Sequence, residues 1–229
     1  MHLQRELDNL KKELLSIAAM VENATDKALV ALVERRPNLA YEVINEDDLI
    51  DQKEVRIEEE CMKILALHQP MATDLRFVVT ALKVNNDLER VGDLAVNIAE
   101  RAAYLASKEM LAVTLDFPKM AEEVMKMLKS ALDSLTRQDT DLARRIIAAD
   151  DQIDDFNRRM YHCLQDLMQE NPSTIKRAMH LLSASRHLER IADLATNICE
   201  DLIYMVEGEV IRHRPSDYDR KSTRLNSSH

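Results

Sequence analysis

The sequence predicts an all-α fold: two tandem, pseudo-repeated three-helix bundles, six long antiparallel helices in all. Three observations lead to it. The segment Asp87-Leu-Glu-Arg-Val-Gly-Asp-Leu-Ala-Val-Asn-Ile-Ala-Glu100 returns one hundred residues later as His187-Leu-Glu-Arg-Ile-Ala-Asp-Leu-Ala-Thr-Asn-Ile-Cys-Glu200, the mark of a duplicated unit. With two Gly and 3% aromatic residues, the chain has few of the turn and strand formers a β-fold needs. Apolar residues recur in steps of three and four, the helical period.

The elements follow in order. Leu3, Leu7, Leu10, Leu14, Ile17, Val21, Ala24, Ala28 and Ala31 form the seam of a first helix. Pro37 precedes a second, from about Asn38 to Ala66, since proline is tolerated at a helix start and breaks a helix interior. Beyond Pro70 a third runs from about Met71 to Ser107, roughly 50 Å at 1.5 Å per residue. The second half predicts helices over Phe117 to Arg137, Thr140 to Met168 and Ser173 to Glu207. Residues 1–112 and 113–212 thus form two units, packed end to end or side by side, or merged in one elongated bundle. Residues 213–229 carry no helical pattern, and from about Lys221 they read as a vector-derived remnant or a native disordered tail.

A net charge of -10 argues against nucleic-acid binding, which needs Lys and Arg to neutralise phosphates. Cys61, Cys163 and Cys199 lack metal or disulfide spacing and read as small core residues in a reducing cytoplasm. With no signal peptide and no apolar run of membrane-spanning length, the expectation is a cytoplasmic protein.

The repeated segments carry carboxylates at helical spacing. Glu89, Asp93, Asn97 and Glu100 share one helix face, as do Glu189, Asp193, Asn197 and Glu200. The second and fifth predicted helices add Asp47-Asp48-Leu-Ile-Asp51 and Asp150-Asp151-Gln-Ile-Asp154. Charged outer faces are usually only solvated. Facing stripes are different: carboxylates about 5 Å apart at an effective dielectric near 20 repel by about 3 kcal/mol, which protonation, Arg or a cation must relieve. Because both stripes recur together, a groove able to hold a hard or intermediate cation such as magnesium, manganese or iron is favoured. Gly92 and Ala192 suit a close approach of backbone or ligand, or ordinary packing. Arg76, Lys83 and Arg90 read as a solvated flank, His187 as a surface histidine, and Met110, Met120, Met125 and Met127 as core filler.

Among enzymes, the two DDxxD patterns invite an isoprenoid-synthase-like, magnesium-dependent alternative, disfavoured by short length and few aromatics to line a prenyl pocket. The acidic helices have no Glu-x-x-His for a di-iron oxygenase, and no phosphate-binding glycine loop is present. A purely structural helical scaffold is the remaining alternative.

The duplicated motif, with Pro70-Met-Ala-Thr-Asp-Leu-Arg76 before it, resembles the PhoU family of phosphate-uptake regulators from about Leu3 to Arg212. The resemblance implies a cytoplasmic, non-enzymatic negative regulator of the phosphate-starvation response. It implies an adaptor between the ATPase subunit of a phosphate ABC transporter and a sensor histidine kinase, reaching the membrane through these partners, and a homodimer. It also implies iron or zinc bound at Asp47, Asp51, Glu89 and Asp93, and at Asp150, Asp154, Glu189 and Asp193. Ala192 in place of Gly92, and Pro172-Ser-Thr-Ile-Lys176 in place of the first unit's motif, imply sites of different affinity or occupancy.

Overall fold

The computed structural model describes residues 2–112, 116–149 and 151–211. Asp150 and the 213–229 tail lie outside them. Seven α-helices occur among the described residues: α1 (His2–Val33), α2 (Pro37–His68), α3 (Thr73–Ala106), α4 (Phe117–Arg137), α5 (Thr140–Ile147), α6 (Asp151–Glu170) and α7 (Ile175–Glu207), with a 3-10 turn over Pro172–Thr174.

α1 and α2 end just before Pro37 and Pro70, and α3 and α4 end within one residue of the expected Ser107 and Arg137. With few glycines available, the left-handed residue that closes a helix is Arg35 (φ 56), Gln69 (φ 44) or Gln138 (φ 55), and only α7 uses glycine, Gly208 (φ 76). Past α1, the Arg36 amide donates to the Ala31 carbonyl at 2.9 Å before Pro37 opens α2. Past α4, Asp139 caps α5 by accepting from the Leu142 amide at 2.8 Å.

The expected fifth helix, Thr140 to Met168, is two helices. The Ala149 amide bonds the Ile146 carbonyl at 3.0 Å, tightening the last turn of α5 to a 3-10 step. The acid-rich run that follows suits the positive end of a new helix better than a helix interior. In the first unit the matching stretch stays helical, and Lys27 of α1 pairs there with Glu42 at 3.2 Å and Glu46 at 3.1 Å. The corresponding residues Ser130, Arg145 and Ala149 cannot form that pairing.

The units lie side by side. α1 and α2 pack on α3; α4, α5 and α6 pack on α7; α3 and α7 pack on each other, and α1 touches α4. Val84, Leu88, Val91, Ala95 and Ile98 of α3 and Ala184, Leu188, Ile191, Ala195 and Ile198 of α7 are buried completely. Lys83 meets Asp201 at 3.3 Å near one end of the α3–α7 seam. Tyr104 stacks on His180 at 3.9 Å near the other, so the two central helices run antiparallel.

This seam corrects the reading of the basic flank at Arg76 and Lys83, while Arg90 is exposed as expected. Arg76 donates to the Met205 carbonyl at 3.4 Å, Lys83 pairs with buried Asp201, and Arg90 pairs with Asp87 at 3.5 Å. The expected core methionines divide: Met120 and Met127 are buried, Met125 is partly buried, and Met110 is exposed. Cys61 and Cys199 are buried, and burial pushes both thiols up to about 12, whereas Cys163 is half-buried.

Gly92 serves packing. A Cβ there would sit 3.4 Å from Cδ1 and Cγ2 of Ile50, ordinary contact with an apolar neighbour. Gly92→Ala is therefore expected to stabilise the chain by about 0.5 to 1 kcal/mol through helix propensity. Gly92→Leu should cost about 1 to 3 kcal/mol by overpacking. Urea unfolding of the pair checks both signs.

Candidate functional site: two acidic grooves

Each groove is cut between two helices of one unit. Ile50 and Ile57 are buried on α2, and the positions beside them, Asp47, Asp51 and Glu54, follow one another by a turn along the helix edge. Glu89 and Asp93 line the facing edge of α3, next to buried Leu88 and Gly92. Burial raises the Asp47 carboxyl above its usual range, and the charges of Asp51, Asp93 and Asp48 raise it further. Glu89 is raised by burial, then by Asp93, Glu54, Asp51 and Asp47. Asp93 is raised by burial and Asp51, and Glu54 by burial, Glu58 and Asp51. The stripes of α2 and α3 thus share one field.

Glu54 was not legible as a member from the motif, although it continues the Asp47-Asp51 row by one turn. Asn85, 1% exposed, holds it: the Asn85 amide donates to the Glu54 carbonyl at 2.9 Å and to its Oε1 at 3.2 Å. Asp48 points to solvent. Asn97 and Glu100, expected on the same stripe, are spent elsewhere. Asn97 donates to the Asp93 carbonyl at 2.8 Å, and Glu100 pairs with Arg101 at 2.5 Å.

In the second groove Asp154 of α6 faces Glu189 and Asp193 of α7; Asp150 lies outside the described residues. Glu189 is raised by burial, lowered by the Asn157 hydrogen bond, and raised again by Asp154 and Asp193. Asp193 is raised by burial and Asp154 and lowered by Arg190. Asn157 stands where the first unit has Glu54. It accepts from Ser185 Oγ at 2.6 Å and donates to Glu189 Oε2 at 2.6 Å. Arg90 of the first unit leans instead on Asp87, whose counterpart is His187. The second groove therefore has one carboxylate fewer at the Glu54 position and a guanidinium acting on it.

The oxygen-only donor set fits a hard or intermediate cation. Asp47 Oδ1 is buried with no hydrogen-bond partner, and none of the five first-groove carboxylates is in an ion pair found among the described residues. These groups share a field without forming a cage: among the described residues, no three His, Cys, Asp or Glu side chains stand in a metal-holding arrangement.

The family model for the PhoU domain matches residues 14–102 and again 117–202. The chain belongs to the PhoU family. Each PhoU domain supplies one groove. A phosphate-specific transport system accessory protein PhoU homolog of Aquifex aeolicus is 43% identical, over 93% of this chain and 97% of its own length. A homolog of the same description from Pseudomonas aeruginosa is 38% identical over 91% of the chain and 86% of its length. The crystal structure of PhoU from Pseudomonas aeruginosa superposes with a TM-score of 0.87 at 37% identity, covering 90% of this chain and 99% of that one. The phosphate transport system regulatory protein PhoU from Streptococcus pneumoniae gives 0.80 at 31% identity, over 91% and 98%. These relatives are named as accessory or regulatory proteins. No helix among the described residues is long and apolar enough to cross a membrane.

The raised carboxyls of the PhoU grooves set a pH dependence. A carboxyl whose folded pKa lies above its unfolded one binds protons more readily when folded, so its penalty is complete above the folded pKa and gone below the unfolded one. Acidifying the metal-free protein from neutral toward the ordinary carboxylate range is therefore expected to remove the contribution of Asp47, Glu54, Glu89, Asp93, Glu189 and Asp193 that opposes folding. The Asp47→Asn, Asp93→Asn variant should show a shallower rise of melting temperature over that window. Calorimetry at stepped pH checks the difference.

Proposed function

We propose that the chain is a negative regulator of the phosphate-starvation response and a modulator of phosphate uptake. It acts as an adaptor between a phosphate ABC transporter's ATPase subunit and a sensor histidine kinase. The observation that carries this reading is full-length similarity, through both PhoU domains, to accessory proteins of the phosphate-specific transport system. The grooves deepen it. Asp47, Asp51, Glu89 and Asp93, with Glu54, would hold a divalent or trivalent cation in the first, and Asp154, Glu189 and Asp193, with Asp150, in the second. Bound charge would neutralise the mutual repulsion of the carboxylates and stiffen α2 against α3.

As an adaptor, the protein works by differential affinity. It can shift a kinase toward the state that dephosphorylates its response regulator only by binding that state more tightly. The test is deletion of the gene in its source organism, with alkaline phosphatase activity read in phosphate-replete medium. High activity that falls to the parental level on complementation is the expected result; activity that stays low after deletion overturns the proposal.

A further inference from the structure

The geometry points to a binding site for a small tetrahedral oxyanion of the phosphate class at one end of the α3–α7 seam, built by Arg101, Lys108, Lys176 and His180 around the ring of Tyr104.

The duplication supplies its own control, because the same seam has a second end with the same backbone. At that end Tyr204 receives Lys83, 5.4 Å from its ring centroid, and Lys83 is neutralised by Asp201 at 3.3 Å. One hundred residues away in register, Tyr204 corresponds to Tyr104, Asp201 to Arg101, Thr80 to His180 and Arg76 to Lys176. The carboxylate that balances one end has become a guanidinium at the other. Tyr104 stacks on His180 at 3.9 Å, and Lys108 and Lys176 each hold an ammonium 5.2 Å from the Tyr104 centroid. Two ammonium groups and an imidazole therefore meet on one aromatic ring, with Arg101 close enough to act on the imidazole, in a chain whose net charge is -10.

Two carboxylates lie nearby and offset part of this charge, leaving the two lysines. Glu100 takes Arg101 at 2.5 Å, and Glu109 takes Arg177, which also donates to the Glu109 carbonyl at 3.0 Å. Among the described residues Lys108 and Lys176 enter no ion pair found in the structure. The field is felt at His180, which burial, then Arg101 and Lys176, hold below the ordinary imidazole range. A dianionic ligand offers what these groups lack. It gives the lysines a counter-charge, Arg101 a further acceptor beside Glu100, and His180 a partner for the proton it then keeps.

The site is independent of the acidic grooves and of any partner, so it is tested on the purified, chelator-treated full chain. Inorganic phosphate is titrated at constant ionic strength while imidazole NMR follows His180 and equilibrium dialysis follows binding. Saturable movement of the His180 signal, with binding stoichiometry of one, is expected. Lys176→Gln should weaken binding about tenfold, the loss of one charge-assisted contact, and Arg101→Asp, which restores the acid of the opposite end, should abolish it. Lys176 is exposed, so that variant decides the matter if Arg101→Asp does not fold. No saturation at tens of millimolar phosphate, the same shift with chloride, or unchanged binding by Lys176→Gln overturns the site.

Discussion

Truncating Leu188 to alanine is expected to lower the free energy of unfolding by about 3 to 5 kcal/mol, and Leu88→Ala by a similar amount. Both side chains are fully buried, one on each central helix, so each deletion removes apolar contact and leaves a void. The informative part is the form of the transition. α3 and α7 pack on each other as well as on their own partners, which couples the halves. Both variants should therefore move one and the same cooperative transition in calorimetry and urea. Two resolved transitions, with Leu88→Ala moving one and Leu188→Ala the other, would show that the units melt independently across a weak seam.

Manganese is expected to stabilise the first groove, and replacing Glu89 with Gln and Asp93 with Asn should erase most of that effect. A cation at one hundred times its dissociation constant stabilises by about 2.7 kcal/mol, and the double variant removes the α3 side of the donor set. The metal-free variant is expected to melt higher than the parent, since it loses two carboxyls that burial, and then the neighbouring carboxylates, raise. Glu54→Asn should weaken the first groove toward the second, and Asn157→Glu should strengthen the second. A parental manganese response in the double variant, with unchanged repression of alkaline phosphatase, would remove the groove from the mechanism.

Most of the fold was legible because each helix has its own local signal. Pro37 and Pro70 mark boundaries in one dimension, and the seams of α1, α3 and α7 are strongly periodic. The break after Ile147 was hidden because Ala148 and Ala149 are good helix formers; what ends α5 is the acidic run beyond them and a missing interhelical pairing. The site was half legible. Asp47, Asp51, Glu89 and Asp93 follow from spacing, but Glu54 belongs to the groove through Asn85, a contact between helices that no single-helix pattern records. The same limit explains Arg76 and Lys83. A basic residue on a helix flank looks solvated until the helix that faces it is known, and here Asp201 and the Met205 carbonyl were waiting on α7. His187 is half-buried with Nδ1 lacking a partner, not a surface group, for the same reason.

The antiparallel seam between α3 and α7 behaves like the interface of a symmetric dimer in which the two subunits have been joined into one chain. A dimer of identical chains must present every residue twice, so a charge introduced at one end of its two-fold appears at the other. Covalent linkage lifts that obligation, and makes the pairing independent of protein concentration. This chain has used the freedom: Asp201 closes one end of the seam with an ion pair across it to Lys83, whereas its counterpart Arg101 is a cation that pairs with Glu100 on its own helix, beside Lys108 and Lys176. A partner approaching along the seam meets two ends of different charge, and so has a single direction in which to bind.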